Sequence, residues 1–182
     1  MTHTPIPTEE LESIKDLKDV KVIFDVGARA DIDYFNIFPD ATFHLFEPNP
    51  EFFLELKEKV GDKKNVFLNN YGLGDEEITL GYDKTIQCFE KGEAGMKHPD
   101  FLLPIKTLDW YIQENKIKRI DFIKIDTEGY DFKILLGGKK AVKLARYIQY
   151  EHWDNLKQFH DLLEKDFDMK YTGFRNVLCI RK

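Results

Sequence analysis

The chain has 182 residues, of which 42% are hydrophobic and 33% are charged, and its formal net charge is -6 at pH 7. This length and composition are typical of one globular domain and exclude intrinsic disorder. The negative charge argues against a nucleic-acid partner, because binding to phosphate backbones depends on clustered Lys and Arg. We therefore predict a single domain over residues 1–182 whose partner is a small molecule or a carbohydrate.

The two cysteines and the first residues bear on the cellular compartment. Cys88 and Cys179 stand far apart and belong to no metal-binding or redox spacing, so we expect reduced thiols and no metal. Residues 1–20 contain no apolar signal region, and no stretch is long enough to cross a bilayer. The expectation is a cytoplasmic protein without membrane contact.

The predicted elements begin with a capping helix in residues 1–20, where Leu11, Ile14 and Leu17 share one face. From residue 21 onward, short runs of Val, Ile and Phe alternate with amphipathic segments. Strands are predicted at 21–25, 42–47, 65–69, 76–81, 119–126, 146–151, 167–172 and 176–181. Helices are predicted at 31–38, 50–60, 107–116, 130–144 and 153–165.

This alternation predicts an α/β fold with a Rossmann-like, mostly parallel, doubly wound sheet and helices on both faces. Near-continuous apolar runs such as Val22–Phe24 and Phe122–Ile125 are typical of strands that are covered on both faces. The last two strands flank the turn-forming residues 172–176, which predicts a C-terminal antiparallel hairpin. Residues 82–100 show no periodicity, so segment 83–100 is predicted to be either a substrate lid or a surface loop.

The turn after the first strand is the first candidate site. Ligands of open α/β sheets bind outside the carboxyl ends of the strands, where a glycine lets the backbone approach the ligand. Glu47 ends the second strand about twenty residues after Gly27, where a carboxylate can accept both hydroxyls of a ribose. The spacing predicts an adenosine-type ligand, and the alternative is an ordinary turn glycine and an exposed strand end. The candidate binding residues are Asp25, Gly27, Ala28, Arg29 and Glu47.

The sequence also resembles a known family, the FkbM-type methyltransferases. The resemblance is carried by residues 23–28, 46–50, 72–75 and 120–131, with further matches at 107–109 and 148–151. It extends from about residue 20 to the C-terminus, and residues 124–131 are its most specific part. The resemblance implies a class I fold, S-adenosylmethionine as cofactor, and O-methylation of a sugar or a sugar-containing small molecule.

Two positions in the first turn depart from the family pattern. Arg29 stands where the family often has Asn, and Asp31 stands where it usually has Gly. Asp31 would lie near the carboxylate of the methyl donor, pair with Arg29, or cap the following helix. Two other classes of function stay open: a binding protein that has lost catalysis, and a nicotinamide-dependent oxidoreductase that uses Glu47 on the ribose.

Acidic residues at the ends of two further strands form the second candidate site. Because strand ends of one sheet open onto one crevice, we expect these residues to converge. The candidate catalytic residues are Asp126, Glu128, Glu151 and His152. Asp126 is a candidate to bind the donor amino group or to act as base, Glu128 is a second candidate base, and His152 is a candidate base or hydrogen-bond donor. The alternative is that they only solvate strand ends and helix termini.

The adenine is expected at the end of the third strand. The amides of Asn69 and Asn70 are able to bind the edge of the base, and Tyr71 or Leu73 to pack on its face. An ordinary polar turn is the alternative for each residue taken singly.

Overall fold

The computed structural model describes residues 8–29, 34–83, 88–90, 100–153 and 156–182. The helices are α1 (Thr8–Ile14), α2 (Tyr34–Ile37), α3 (Pro50–Val60), α4 (Leu108–Glu114), α5 (Asp131–Leu136), α6 (Lys139–Leu144) and α7 (Leu156–Leu163). The strands are β1 (Val22–Val26), β2 (Thr42–Phe46), β3 (Val66–Asn69), β4 (Gly72–Leu73), β5 (Ile78–Asp83), β6 (Cys88–Glu90), β7 (Phe101–Lys106), β8 (Ile120–Ile125), β9 (Ala145–Glu151), β10 (Phe167–Tyr171) and β11 (Asn176–Arg181). Among these described residues, no helix is long and apolar enough to cross a membrane.

The main sheet has seven strands in the order β10-β11-β9-β8-β1-β2-β3. The five strands from β9 to β3 are parallel, whereas β11 is antiparallel to both β9 and β10. The predicted mostly parallel sheet with a C-terminal antiparallel hairpin is therefore confirmed. Because β1, β2, β8 and β9 run in one direction, their carboxyl ends lie along one edge of the sheet.

Helices cover both faces of this sheet, as predicted. On one face, Ile123 and Ile125 of β8 belong to a core with residues of α4, α5 and α7. On the other face, Phe122 belongs to a second core with residues of α1, α2 and α3. The N-terminal helix α1 contributes Ile14 to this second core with no exposed surface. Burying a side chain of this size contributes roughly 1.5–3 kcal/mol.

A second sheet has four strands in the order β4-β7-β5-β6. Its strand β5 lies near the strand predicted at 76–81, but β7 was not predicted and β6 lies within the predicted long connection. The strand β7 contains Pro104, and a proline inside an apolar run argues against a strand when only the sequence is considered. Burial nevertheless alternates along β7, with Leu103 and Ile105 buried. Most of the candidate lid 83–100, and residues 30–33 with Asp31, lie outside the described residues.

The single helix predicted at 130–144 is wrong, because the chain forms α5 and α6 with a break at Gly137 and Gly138. A Cβ atom at Gly137 would lie 1.9 Å from the backbone oxygen of Gly74, in the turn between β4 and β5. The carboxylate of Asp109 in α4 accepts the backbone amides of Lys140 and Ala141 and so caps α6. Close packing against the second sheet therefore interrupts the helical pattern.

Candidate active site

The turn after β1 is fixed by hydrogen bonds to both neighbouring strands. The amides of Gly27 and Ala28 donate to the carbonyl of Phe46 at 3.0 and 3.1 Å, and the amide of Asp126 donates to the carbonyl of Val26 at 3.0 Å. Gly27 has φ +85°, and a Cβ atom there would lie 2.0 Å from the backbone oxygen of Asp126. Glycine is thus required because the turn after β1 packs against the end of β8, and this contact joins the two predicted sites.

Glu47 lies at the end of β2 with its carboxylate almost completely buried. One oxygen accepts the backbone amide of Arg29 and the other accepts that of Asn49, each at 2.8 Å. Burial raises the pKa of Glu47 to about 7, although the two amides act in the opposite direction. Two carboxylate oxygens can accept about four hydrogen bonds, so each keeps capacity for a further donor.

A cavity opens between the ends of β1, β2 and β8, and β5 of the second sheet contributes one wall. It is lined by Gly27, Arg29, Glu47, Pro48, Phe52, Tyr82, Asp126, Thr127 and Glu128. Five of the predicted site residues meet here, namely Gly27, Arg29, Glu47, Asp126 and Glu128. The guanidinium carbon of Arg29 lies 4.7 Å from the centroid of the Phe52 ring, so a cation and an aromatic face share the cavity.

Several other candidates lie beside the cavity rather than on its wall. Asp25 and Ala28 are each only 2% exposed. The side-chain amide of Asn70 donates to the backbone carbonyls of Glu47 at 2.9 Å and of Pro48 at 3.1 Å, which holds the chain after β2. Leu73 is buried in the larger core and Tyr71 packs against it, and neither is among the residues that line the cavity. Asn70 as an adenine contact stays a prediction.

Lys124 and Asp126 form an ion pair beneath the cavity. The ammonium of Lys124 lies 3.0 Å from a carboxylate oxygen of Asp126. The Lys124 side chain is 6% exposed, whereas that of Asp126 is 42% exposed and lines the cavity. The positive charge of Lys124 is the main cause that lowers the pKa of Asp126. Asp126 therefore presents a stable negative charge to the cavity.

Asp131 ties the segment after β8 to the end of β9. One of its carboxylate oxygens accepts the amide of Thr127 at 3.2 Å and its hydroxyl at 2.6 Å. The other oxygen accepts the amide of Glu151 at 3.0 Å. Burial raises the pKa of Asp131 to about 7. The sequence offered only one signal for this role, the position of Asp131 in the most specific family stretch.

Glu151 and His152 do not line the cavity, although Glu151 lies near it. Burial is the main cause that raises the pKa of Glu151, followed by the negative charges of Asp126 and Glu128. These three carboxylates thus converge as the sequence predicts. The imidazole of His152 instead lies 3.2 Å from the backbone oxygen of Trp153, with its ring near Tyr171. In the described part of the chain, no three or more His, Cys, Asp or Glu residues are grouped to hold a metal ion.

Four lining residues were missed by the sequence analysis, namely Pro48, Phe52, Tyr82 and Thr127. Tyr82 belongs to the second sheet, whose position against the strand ends has no signal in the sequence. Phe52 falls on the first turn of α3, and only the direction of that helix brings its ring into the cavity. Pro48 and Thr127 are direct neighbours of predicted residues, so the predicted stretches already contain them.

The fold is that of class I S-adenosylmethionine-dependent methyltransferases. More narrowly, the family model described as "Methyltransferase FkbM domain" matches residues 25–175, so the chain belongs to the FkbM methyltransferase family. The family resemblance and the expected cofactor, S-adenosylmethionine, are thereby confirmed. No curated protein matches the chain.

Solved structures with the same fold include three methyltransferases. A candidate rRNA methylase from Clostridium thermocellum is 14% identical with TM-score 0.61, over 100% of this chain and 98% of that one. A candidate methyltransferase from Streptococcus mutans in complex with SAH is 11% identical with TM-score 0.58, over 100% of both chains. A candidate caffeoyl-CoA O-methyltransferase from Staphylococcus aureus is 12% identical with TM-score 0.59, over 98% of this chain and 86% of that one. At these identities the likeness shows the fold alone.

Proposed function

We propose that the chain transfers the methyl group of S-adenosylmethionine to a hydroxyl group of a sugar or a sugar-containing small molecule. The observation that carries this proposal is that one cavity joins the buried carboxylate of Glu47 to the carboxylates of Asp126 and Glu128. Glu47 suits the nucleoside part of a donor, Asp126 suits the ammonium group of that donor, and Glu128 suits a polar acceptor that gives up a proton.

The residues of the cavity fit the donor. Glu47 accepts the two ribose hydroxyls with the capacity that its backbone partners leave. Asp126, held ionised by Lys124, binds the ammonium group of the methionine part. Arg29 pairs with the carboxylate of that same part, because its guanidinium extends over Phe52 inside the cavity. When bound, S-adenosylmethionine supplies an activated methyl group.

The acceptor side is acidic, which favours an uncharged hydroxyl over a polyanion. Asp126, Glu128 and Glu151 would repel the phosphates of RNA, and the chain carries a net charge of -6. Glu128 lines the cavity and is the first candidate to take the proton of the hydroxyl, with Glu151 as the second. Most of the acceleration would come from aligning the acceptor oxygen with the methyl group.

The test has a binding step and a transfer step. Isothermal titration should detect binding of S-adenosylmethionine and of its demethylated product, S-adenosylhomocysteine. The protein should then be incubated with S-adenosylmethionine and one acceptor at a time, namely methyl glycosides, a catechol or an RNA oligonucleotide. Mass spectrometry should measure the masses of the products. We expect a gain of one methyl group on a glycoside. Methylation of only RNA or only the catechol would overturn the proposal that the acceptor is a sugar. The absence of heat at millimolar donor would overturn the proposal that the protein is a methyltransferase.

A further inference from the structure

An exposed surface of two aromatic side chains and one arginine lies at the end of β9. Trp153 is 42% exposed and Phe174 is 91% exposed. The guanidinium carbon of Arg175 lies 3.8 Å from the centroid of the Trp153 ring and 5.6 Å from that of Phe174. We call Trp153, Phe174 and Arg175 the aromatic platform. Large exposed aromatic side chains gathered in one place mark binding surfaces more often than single exposed residues do.

The backbone holds the platform in a defined position. The amide of His152 donates to the carbonyl of Arg175 at 3.0 Å, which fastens the turn between β10 and β11 to the end of β9. Asn176 pairs with Glu151 in the antiparallel ladder, and the amide of Thr172 donates to the carbonyl of Asn176 at 2.9 Å. The backbone of the turn is therefore fixed, and the guanidinium of Arg175 is held against the Trp153 ring.

The platform adjoins the acidic side of the cavity. A Cβ atom built on Gly129 would lie 3.8 Å from the Trp153 ring, and Gly129 directly follows the cavity residue Glu128. The charge of Arg175 also acts on the nearby Glu151. In the sheet, β8 and β1 separate β9 from β2, so the platform and the ribose acceptor Glu47 lie on opposite sides of Asp126. This is where an acceptor would lie if the donor occupies the Glu47 side.

The chemistry of the platform suits a carbohydrate. A sugar ring has an apolar C–H face that packs on an aromatic ring, and an edge of hydroxyl oxygens that accept hydrogen bonds. Phe174 provides the exposed ring, and stacking leaves the guanidinium N–H groups of Arg175 free to donate sideways. Within the part of the chain that the structure describes, no carboxylate lies within ion-pair distance of Arg175. No described acidic residue therefore occupies its donors.

We propose that the aromatic platform is the acceptor subsite, where the sugar ring packs against Phe174 and Arg175 donates hydrogen bonds to its oxygens. This inference rests on the proposed function and assigns residues to its acceptor. A nucleobase also stacks on aromatic rings, but its phosphates would then lie beside Glu128 and Glu151, which disfavours RNA as the occupant.

The test compares variants of the platform with a matched exposed aromatic residue elsewhere. Phe174→Ala and Arg175→Met should each raise the KM for the glycoside that wild type methylates about tenfold or more. In both variants kcat and the donor Kd should stay within twofold of wild type. Phe67→Ala is the control, because Phe67 is 50% exposed on β3 at the opposite edge of the sheet. The acceptor substrates are the methyl glycosides of glucose, galactose, mannose and glucuronic acid. Sedimentation velocity on each variant measures its oligomeric state.

Each outcome decides the question. A rise in KM for neutral glycosides or for the glucuronide alone supports the platform, and the pattern tells whether Arg175 recognises hydroxyls or a carboxylate. If wild type methylates a glycoside and both variants keep its KM, the platform is overturned while the proposed function stands. If wild type binds the donor but methylates none of the glycosides, the sugar assignment and the platform fall together. A dimer that dissociates in Phe174→Ala would identify a subunit interface and overturn the proposal.

Discussion

Gly27 packs directly against the backbone carbonyl of Asp126, so closely that a single added carbon would lie 2.0 Å from that oxygen. The two residues belong to the two sites that the sequence predicts, one after β1 and the other after β8. Because the amide of Asp126 also donates to the carbonyl of Val26, the two turns cannot move independently. The two turns that line the cavity are thus held in fixed positions relative to each other by the backbone.

Replacing Gly27 by alanine should therefore damage both stability and donor binding. A residue with a side chain at φ +85° costs about 1–2 kcal/mol, and the contact with Asp126 must be relieved by moving one of the turns. We expect the free energy of unfolding to fall by roughly 3 kcal/mol and the donor Kd to rise at least tenfold. Urea denaturation and isothermal titration with S-adenosylhomocysteine measure the two effects.

Gly61→Ala is the matched control. Gly61 also has a positive φ, of +59°, but a Cβ atom there would meet nothing within 4 Å. Gly61 has ψ -141°, a region that only glycine readily adopts, so a conformational cost of about 1–3 kcal/mol should remain, with donor binding unchanged. An equal loss of donor affinity in the two variants would show that the contact with Asp126 has no special importance.

The strand pattern of the main sheet follows from the sequence because apolar runs and turn residues are local signals. Gly27 and Glu47 were likewise recognised from spacing, since parallel strand ends must meet at one edge. The second sheet was not recognised, because it depends on the contact of Gly137 with Gly74 and on the pairing of β5 with the proline-containing β7. Tyr82 was not predicted for the same reason, since only tertiary packing brings it to the cavity.

The binding of the donor should depend on pH through Glu47. Its pKa in the free protein is raised from 4.5 to about 7, so the carboxyl group is largely protonated below pH 7 and then loses part of its capacity to accept ribose hydroxyls. Donor affinity should fall as the pH decreases from 8 to 6, and binding at pH 7 should release up to about half a proton per donor molecule. Isothermal titration in two buffers of different ionisation enthalpy measures both quantities.

Glu47→Gln tests the assignment. It should weaken donor binding by about 10- to 100-fold, the effect of losing a hydrogen bond to a charged group, and should remove the proton release. Asp131→Asn is a useful comparison because burial also raises the pKa of Asp131 to about 7, yet Asp131 does not line the cavity. If Asp131→Asn abolishes the proton release and Glu47→Gln preserves it, the titrating group is not Glu47.

The raised pKa of Glu47 also predicts how the free protein responds to pH. A carboxyl group whose pKa is higher in the folded than in the unfolded state binds more protons when folded, so it stabilises the fold at low pH. Its contribution is fully present below about pH 4.5 and is lost as the pH rises through 7. The unfolding free energy of Glu47→Gln should therefore decline less between pH 5 and 8 than that of wild type, which urea titrations at each pH would measure.

Lys124 should act on the donor through Asp126. Lys124→Met removes the positive charge that lowers the pKa of Asp126, so that pKa should rise and the donor Kd should increase roughly tenfold. Carbon NMR of the Asp126 carboxyl, assigned by its loss in Asp126→Asn, follows the pKa directly. Lys124→Arg keeps the charge and should leave the pKa lowered. An unchanged Asp126 titration in Lys124→Met would contradict this role.

Glu128 and Glu151 compete for the role of the base, and their surroundings differ. Glu128 lines the cavity with φ +53°, an unusual backbone conformation for a residue with a side chain, whereas Glu151 lies beside the cavity. Position therefore favours Glu128, although the raised pKa of Glu151 would make it the stronger base once in reach.

We expect Glu128→Gln to lower kcat roughly 100-fold with the donor Kd unchanged, and Glu151→Gln to lower kcat less. Removing the charge of Glu128 should also lower the pKa of Glu151, so a shift of the acidic limb of the kcat profile to lower pH in Glu128→Gln would report that Glu151 acts as the base. If Glu151→Gln has the larger effect on kcat, Glu151 is the base and Glu128 only shapes the mouth of the cavity.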